Sequence, residues 1–429
     1  MAEVDTDEAE SSPHNEPFAD YISDAVDKLR PQFEQVDRTV AVNLRRVLDA
    51  YREARVGSHH LTGATGYGHN DAGGREALDT AFARIVGAEA AIVRSQFFSG
   101  THAIAAALFA VLRPGDELLA VAGAPYDTLE EVIGLRGTPG HGSLAEFGVS
   151  YRVLPLTPGE KLDFAALETA VGSGTKCALI QRSCGYSWRE TLTMEEIERA
   201  VNIIKRQNPK CAVVVDNCYG EFVDIKEPTA VGADLIAGSL IKNPGGSIAP
   251  GGGYVAGRED LVDAAAARLS APGIGRDAGA TPSSVQRLML QGLFLAPQIV
   301  GEAVKSSLLL AEVLSAEGFA TKPAPRARRH DIIQAVQLGS REKLLAFCQA
   351  VQTMCPVGAY IRPTAGATAG YESEVVFADG TFIDGSTIEL SCDGPLREPF
   401  VVYCQGGTHW THWAIALEAA VTAMRALGR

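Results

Sequence analysis

Four short stretches of the chain carry side chains whose type and spacing suit chemistry. Ser99-Gly100-Thr101-His102 opens an apolar helical run. A small-residue turn at a helix start presents free backbone N–H groups and the positive end of the helix dipole, which together attract an anion. Ser99 is equally suited to plain N-cap duty. Tyr126 offers an aromatic face to a planar ligand, or a side chain to the core. Asp216 closes the apolar run CAVVV (211–215). A carboxylate there is costly to bury unless a cation or strong donor faces it, although capping a segment that starts near Tyr219 would also occupy it. Lys242 lies in GSLIKNPGG (238–246), where an apolar strand empties into a glycine-bearing loop. A lysine so placed is either solvated or a buried nucleophile with a lowered pKa.

The elements that must position these residues follow from hydrophobic periodicity. From Phe18 to Val56 apolar residues recur at helical spacing, with Pro31 marking a break or a second helix start, and this predicts a helical N-terminal arm. HHLTGATGYGHNDAGG (59–74) holds five glycines among small polar residues and forbids a regular element. Beyond it, apolar strands at 90–95, 117–122, 149–156, 177–183, 211–217 and 234–241 alternate with helices at 99–112, 126–135, 163–171 and 193–206. That alternation predicts a mostly parallel sheet covered on both faces, whose ligands bind beyond the strand carboxyl ends. All four candidate stretches fall at that edge.

Helices at 259–270 and 282–316 follow, the second long enough to reach from one domain to another. A strand at 331–338, a helix near 340–353, hairpins over 374–391 with Asp-Gly turns in ADGT and IDGS, and a closing helix near 411–427 complete the chain. The expected division is an acidic disordered tail (1–17), a helical arm (18–58), a large α/β domain (59–300) and a smaller α+β domain (301–429).

Composition narrows the function. The 429 residues carry a formal charge of -14, which argues against a nucleic-acid partner or an anionic membrane surface but leaves room for one small anion. Glycine supplies 44 residues, a surplus that a phosphate cradle or a set of turns would equally produce. The eight cysteines form no CxxC pair and no histidines follow them at ligand spacing, so no structural metal is expected. They read instead as small buried hydrophobes in a reducing compartment. No run approaches the roughly 18 apolar residues of a membrane span, and the acidic first seventeen residues are unlike a signal peptide, so the expected location is the cytoplasm.

An anion-binding helix start, an aromatic ring, an aspartate ninety residues later and a lysine 26 residues beyond that, all at one edge of one sheet, together describe a pyridoxal phosphate site. The stretches ATGYGHND (64–71), SGTHAI (99–104), APYDTLEEVIG (124–134), QRSCGYSWR (181–189), VDNCYGEFV (215–223), DLIAGSLIKNPGGSIAPGGGYVAGR (234–258) and ELSCDGPLREPF (389–400) carry the resemblance. The chain resembles the fold-type I pyridoxal phosphate enzymes, and within them the methionine γ-lyase-related family also called aluminium resistance proteins. The resemblance implies a large sheet domain with a smaller C-terminal α+β domain. It implies that Lys242 bonds the cofactor and later shuttles the Cα proton, that Asp216 keeps the pyridine nitrogen protonated, and that Tyr126 stacks on the ring. It gives the phosphate to the turn at Ser99, with the Gly100 and Thr101 N–H groups, and to Ser239. It implies that Tyr67 reaches a neighbouring subunit's phosphate, in a homodimer or homotetramer with shared active sites. Arg397 is favoured over Arg362 as the fork that holds the substrate carboxylate.

The sequence departs from the methionine γ-lyases themselves at Ile241, where they carry a hydroxyl residue, and at Thr128, where they carry a cysteine. The implied activity is a carbon–sulfur lyase that converts a sulfur-containing amino acid to a thiol, ammonia and a 2-oxo acid, by β- or γ-elimination, with Tyr126 as proton donor. Transamination or replacement chemistry on the same cofactor is the alternative, followed by a cofactor-binding protein without turnover. No GxGxxG follows a strand, which argues against a dinucleotide-dependent dehydrogenase.

Overall fold

The structure is a computed structural model that describes residues 17–62 and 74–428. All but the last residue of the acidic tail, and the loop segment carrying Tyr67, lie outside the described residues.

The alternating apolar runs form a seven-stranded sheet. Its strands are β1 (Ala90–Arg94), β2 (Glu117–Ala120), β3 (Ser150–Val153), β4 (Thr175–Gln181), β5 (Ala212–Asp216), β6 (Leu235–Ser239) and β7 (Gly253–Gly257). The spatial order is β1-β7-β6-β5-β4-β2-β3. Every pair is parallel except those of β7, which runs antiparallel to both β1 and β6. The strands expected from the sequence include none between 241 and 259, yet β7 begins at Gly253 and fills the gap between the first and sixth strands.

Both faces of the inner strands are buried, as a doubly covered sheet requires, while the edge strand β3 is largely exposed. Val214 packs with Ile104 and Leu108 of α3 (Gly100–Val111) and Val262 of α7 (Glu259–Leu269). Its neighbours Val213 and Val215 belong to the opposite layer. That layer includes α2 (Arg75–Val86) and α6 (Met194–Gln207); the shorter α4 (Asp127–Ile133) and α5 (Phe164–Ala170) complete the connections.

The long helix α8 (Ser283–Ala316) packs against the N-terminal helix α1 (Asp20–Glu53) and continues past residue 300, the expected domain boundary, to the second sheet. α1 is one helix, not two. Pro31 lies inside it on the exposed side, and the local cost, about 3 kcal/mol for an interior proline, is offset by Ile22, Leu29 and Val47, buried on either side of it.

The second sheet contains β8 (Ala320–Lys322), β9 (Gln334–Gln337), β10 (Val375–Ala378), β11 (Ser391–Pro395) and β12 (Val401–Gln405) in the order β10-β11-β12-β9-β8, all antiparallel. Helices α9 (Arg341–Thr353) and α10 (Trp410–Ala426) cover it, with Phe347 in one cluster with Val376, Cys392 and Cys404. The expected pair of tight Asp-Gly hairpins is instead one hairpin, β10 to β11, whose long connection carries both Asp-Gly steps. Ile388 and Leu390 are buried in that connection, so the apolar alternation there reports packing and not a strand. All eight cysteines are buried and free, and no helix among the described residues is long and apolar enough to cross a membrane.

The loop after β6 is fixed by backbone contact with α8. Gly246 holds φ +55°, and a Cβ added at Gly292 would stand 2.2 Å from the Gly245 carbonyl oxygen, so neither site has room for a side chain. Gly292→Ala is therefore expected to lower the unfolding free energy by about 1–3 kcal/mol through overpacking, read as a lower denaturant midpoint with unchanged slope. An unchanged midpoint would show that the contact is soft.

Candidate active site

Parallel register brings the chemistry together. Gln181 of β4 pairs with Asp216 of β5, and Asp216 pairs with Ala237 of β6, so β4 and β5 end at one level and β6 runs two residues further. Ser239 ends β6 and Lys242 stands three residues further on, within the following turn.

Asp216 is buried; its Oδ1 accepts from the Cys218 N–H at 3.1 Å, and its carbonyl accepts from the Arg182 N–H at 3.1 Å. Burial pushes its pKa up, with the Lys242 ammonium pulling the other way. Burial in turn works against that ammonium, but the Cys218, Tyr219, Asp216 and Tyr126 groups around it hold its pKa above the ordinary lysine value. Its Nζ lies 4.1 Å from the centroid of the Tyr219 ring, a cation–π contact. The next residue, Asn243, donates to the carbonyls of Tyr219 (2.9 Å) and Glu221 (3.0 Å), which ties the lysine's turn to the loop that carries the ring.

Tyr126 forms the N-cap of α4 and its N–H donates to Gln181 Oε1 at 2.8 Å. Its phenol is 3.1 Å from Thr101 Oγ1, which lies 3.2 Å from Thr128 Oγ1. Burial and the Asp216 carboxylate push the phenol's pKa well above the ordinary tyrosine value, so it stays protonated and can donate. At the start of α3, a Cβ at Gly100 would come within 3.0 Å of the Ser239 Cβ. The helix start and the end of β6 thus meet closely enough for both to reach one anion.

Gly100, Thr101, Tyr126, Asp216, Ser239 and Lys242 all line one cavity of about 420 Å³. Its far wall comes from the second sheet and the loops beside it. There Ser386 Oγ, Thr387 Oγ1 and Ser391 Oγ are buried and have no hydrogen-bond partner among the described residues. Buried hydroxyls left unpaired are what a bound polar molecule would satisfy.

Several expected residues are placed elsewhere. Ser99 is exposed outside the cavity, and its Oγ accepts from the His102 N–H at 3.1 Å, so its side chain serves as the N-cap and is not turned to an anion. Arg397 lies in the connection between β11 and β12, exposed, with Nη2 donating to the Tyr186 carbonyl at 3.3 Å. Arg362 bonds Gln349 Oε1 at 3.0 Å. Neither arginine lines the cavity, and of the two only Arg397 touches a residue that does.

The sequence reading missed Gln181, Tyr186, Tyr371, Phe377 and Asp393, all in the lining. Gln181 carries the signal that singled out Asp216, a polar residue ending an apolar strand. Asp393 is polar within a short buried strand, and Tyr371 in its loop gives no signal.

The residues fit pyridoxal phosphate on their own chemistry. An amine and a carboxylate share the cavity with an aromatic ring, and backbone N–H groups and a hydroxyl lie at its helix-start end.

The chain matches the methionine gamma-lyase family model over residues 18–425. It is 46% identical over 391 residues to the uncharacterised protein YnbB of Bacillus subtilis, covering 91% of this chain and 92% of that one. Among solved structures, a protein from Listeria monocytogenes provisionally described as a cystathionine beta-lyase involved in aluminium resistance superposes with a TM-score of 0.91 at 44% identity, covering 94% of this chain and 99% of that chain. A carbon–sulfur lyase involved in aluminium resistance from Clostridium novyi superposes with a TM-score of 0.89 at 41% identity, covering 95% and 96%. The same fold extends at 17% identity, TM-score 0.60, to the pyridoxal phosphate-dependent protein YhfS of Escherichia coli, covering 90% and 97%.

Glu221, two residues after Tyr219, gives this region a pH signature. It accepts from the Tyr254 phenol at 2.7 Å, while its other oxygen has no partner among the described residues. Burial pushes its pKa from 4.5 up to about 8, against the Tyr254 hydrogen bond. The folded state then keeps a proton that the unfolded chain releases, so this group costs stability progressively as pH rises from about 4.5 to about 8. Glu221→Gln keeps the shape and removes the titration. Its denaturant midpoint is expected to vary less with pH across that window than the parent's, and parallel curves would contradict the assignment.

Proposed function

Because the chain belongs to the methionine gamma-lyase family, we propose that it is a pyridoxal phosphate-dependent carbon–sulfur lyase that converts a sulfur-containing amino acid and water to a thiol, ammonia and a 2-oxo acid. The observation that carries this reading is the convergence of Lys242, Asp216 and Tyr126 on one buried cavity. When bound, the cofactor supplies a sink for the electron pair left at the substrate's Cα.

The chain's own residues divide the remaining work. Lys242 would hold the cofactor covalently, Asp216 would keep a proton on its ring nitrogen, and Tyr126 would face the ring. The Gly100 and Thr101 N–H groups with Ser239 would hold its phosphate. The Lys242 amine, lining the cavity, would then be the base for the Cα proton. The C–S electron pair leaves on sulfur, and the Tyr126 phenol, protonated and oriented by Thr101, donates to it.

A homodimer or homotetramer that shares its active sites belongs to the same reading. Phe98, 95% exposed beside the phosphate-side turn, is the apolar surface such contact would cover. The cytoplasm is its proposed location.

Incubated with the cofactor and S-alkyl cysteines, cystathionine or methionine, the protein is expected to release 2-oxo acid and ammonia without any amino acceptor; a requirement for an acceptor would point to transamination instead. Lys242→Ala should abolish borohydride-fixed cofactor and cut turnover roughly 10²–10⁴-fold. A fixed adduct in that variant would remove the central assignment.

A further inference from the structure

The end of the cavity supplied by the second sheet has a chemistry of its own. In-register pairing sets Phe377, Asp393 and Tyr403 side by side across β10, β11 and β12, so all three share one face of that sheet. The Tyr186 ring lies 5.2 Å from the Tyr403 ring and 5.5 Å from the Tyr371 ring, and Tyr371 lies 6.5 Å from Phe377. Asp393 stands among these rings, 7% exposed. One of its carboxylate oxygens, Oδ2, takes two hydrogen bonds, from the Tyr186 phenol at 3.0 Å and from Gln405 Nε2 at 2.7 Å. The other, Oδ1, accepts none among the described residues, and Asp393 lines the cavity.

A carboxylate oxygen that faces the cavity without a hydrogen-bond partner offers a seat for a cation, and aromatic faces attract the same cation through their quadrupoles. Burial pushes Asp393 up to about 6, against the Tyr186 and Gln405 hydrogen bonds, so at neutral pH most of it is ionised even with nothing bound. Lys242 is the one lining residue among those described that carries a positive charge, and the cofactor claims it. Asp379, also in the lining, adds to the negative potential at this end.

We propose that Asp393 and its aromatic wall form the pocket for the far end of the substrate, and that the substrate class is a thioether amino acid carrying a cationic nitrogen beyond its sulfur. The inference rests on the lyase reading for the word thioether, not for the cation. A neutral methylthio end would leave Oδ1 unpaired and gain only the aromatic contact. An ammonium two or three bonds past the sulfur would meet both. A site built around a polar partner rejects the analogue that lacks it more strongly than an apolar pocket rejects a wrong size.

The test uses isosteric pairs that differ only in charge. With the cofactor-loaded protein, kcat/KM for S-(2-aminoethyl)-L-cysteine is expected to exceed that for S-propyl-L-cysteine by about ten-fold or more. L-Ornithine should likewise bind more tightly than L-norleucine, read as a shift in the cofactor's visible absorption. Asp393→Asn should bring both ratios toward one. Equal or reversed preference in the parent protein, in turnover and in binding, overturns the proposal whether or not the variant folds. Preferential ornithine binding without 2-oxo acid from either cysteine derivative would support the cation pocket and sink the lyase reading instead.

Discussion

The rest of the structure answers to one constraint: a buried carboxylate and an amine face one cavity at the carboxyl edge of an apolar sheet. Each shifts the other's proton affinity, and desolvation opposes the charge on both, so the surrounding chain must compensate for lost water. The Cys218 N–H does so for Asp216, and the Tyr219 face does so for Lys242. Both compensating groups come from the three residues after β5. A short segment at one strand end thus serves both charges at once, which explains why Asn243 is spent on the carbonyls of that same segment and not on solvent.

Position follows from backbone contact more than from side-chain packing. The turn after Lys242 closes against α8 through Gly246 and Gly292, with no space for a Cβ at either. α8 continues from that contact to the second sheet and lies against α1 along the way. A displacement of α8 would therefore move the lysine and the far wall of the cavity together. The N-terminal helix contributes no lining residue; its part is to bury one side of the helix that couples the two sheets.

The parts of this arrangement that were legible in the sequence are those fixed by local rules. Apolar runs of strand length with amphipathic helices between them announced the parallel sheet, and Asp216 and Lys242 stood out because a charge ending such a run needs a reason. Gln181 obeys the same rule with a weaker signal, since an uncharged amide costs less to bury. β7 gives no clear signal because its short run opens on the glycines of 251–253, and the pairing partners on both sides make it a strand. The connection 379–390 misled for the opposite reason, as Ile388 and Leu390 are apolar for burial and not for pairing. Arg397 illustrates a harder limit. Its place before β12 is legible in the sequence, but where a long exposed side chain rests is decided by neighbours distant in sequence, here the carbonyl of Tyr186 in the cavity lining.

The far wall shows how much rests on strand parity. In β11 and β12, Cys392 and Cys404 face α9 and α10, while Asp393, Tyr403 and Gln405 face the other way. A slip of one residue in either strand would exchange these sets, presenting thiols to the cavity and burying a carboxylate under the helices. The second arrangement is disfavoured, because it would set Asp393 in the apolar cluster of Phe347, Val376, Cys392 and Cys404 and take it from the hydrogen bonds of Tyr186 and Gln405. The polarity of the cavity's far end is therefore enforced by the same apolar packing that folds the smaller sheet. A carboxylate there costs the fold little so long as the cavity, and not the core, receives its free oxygen.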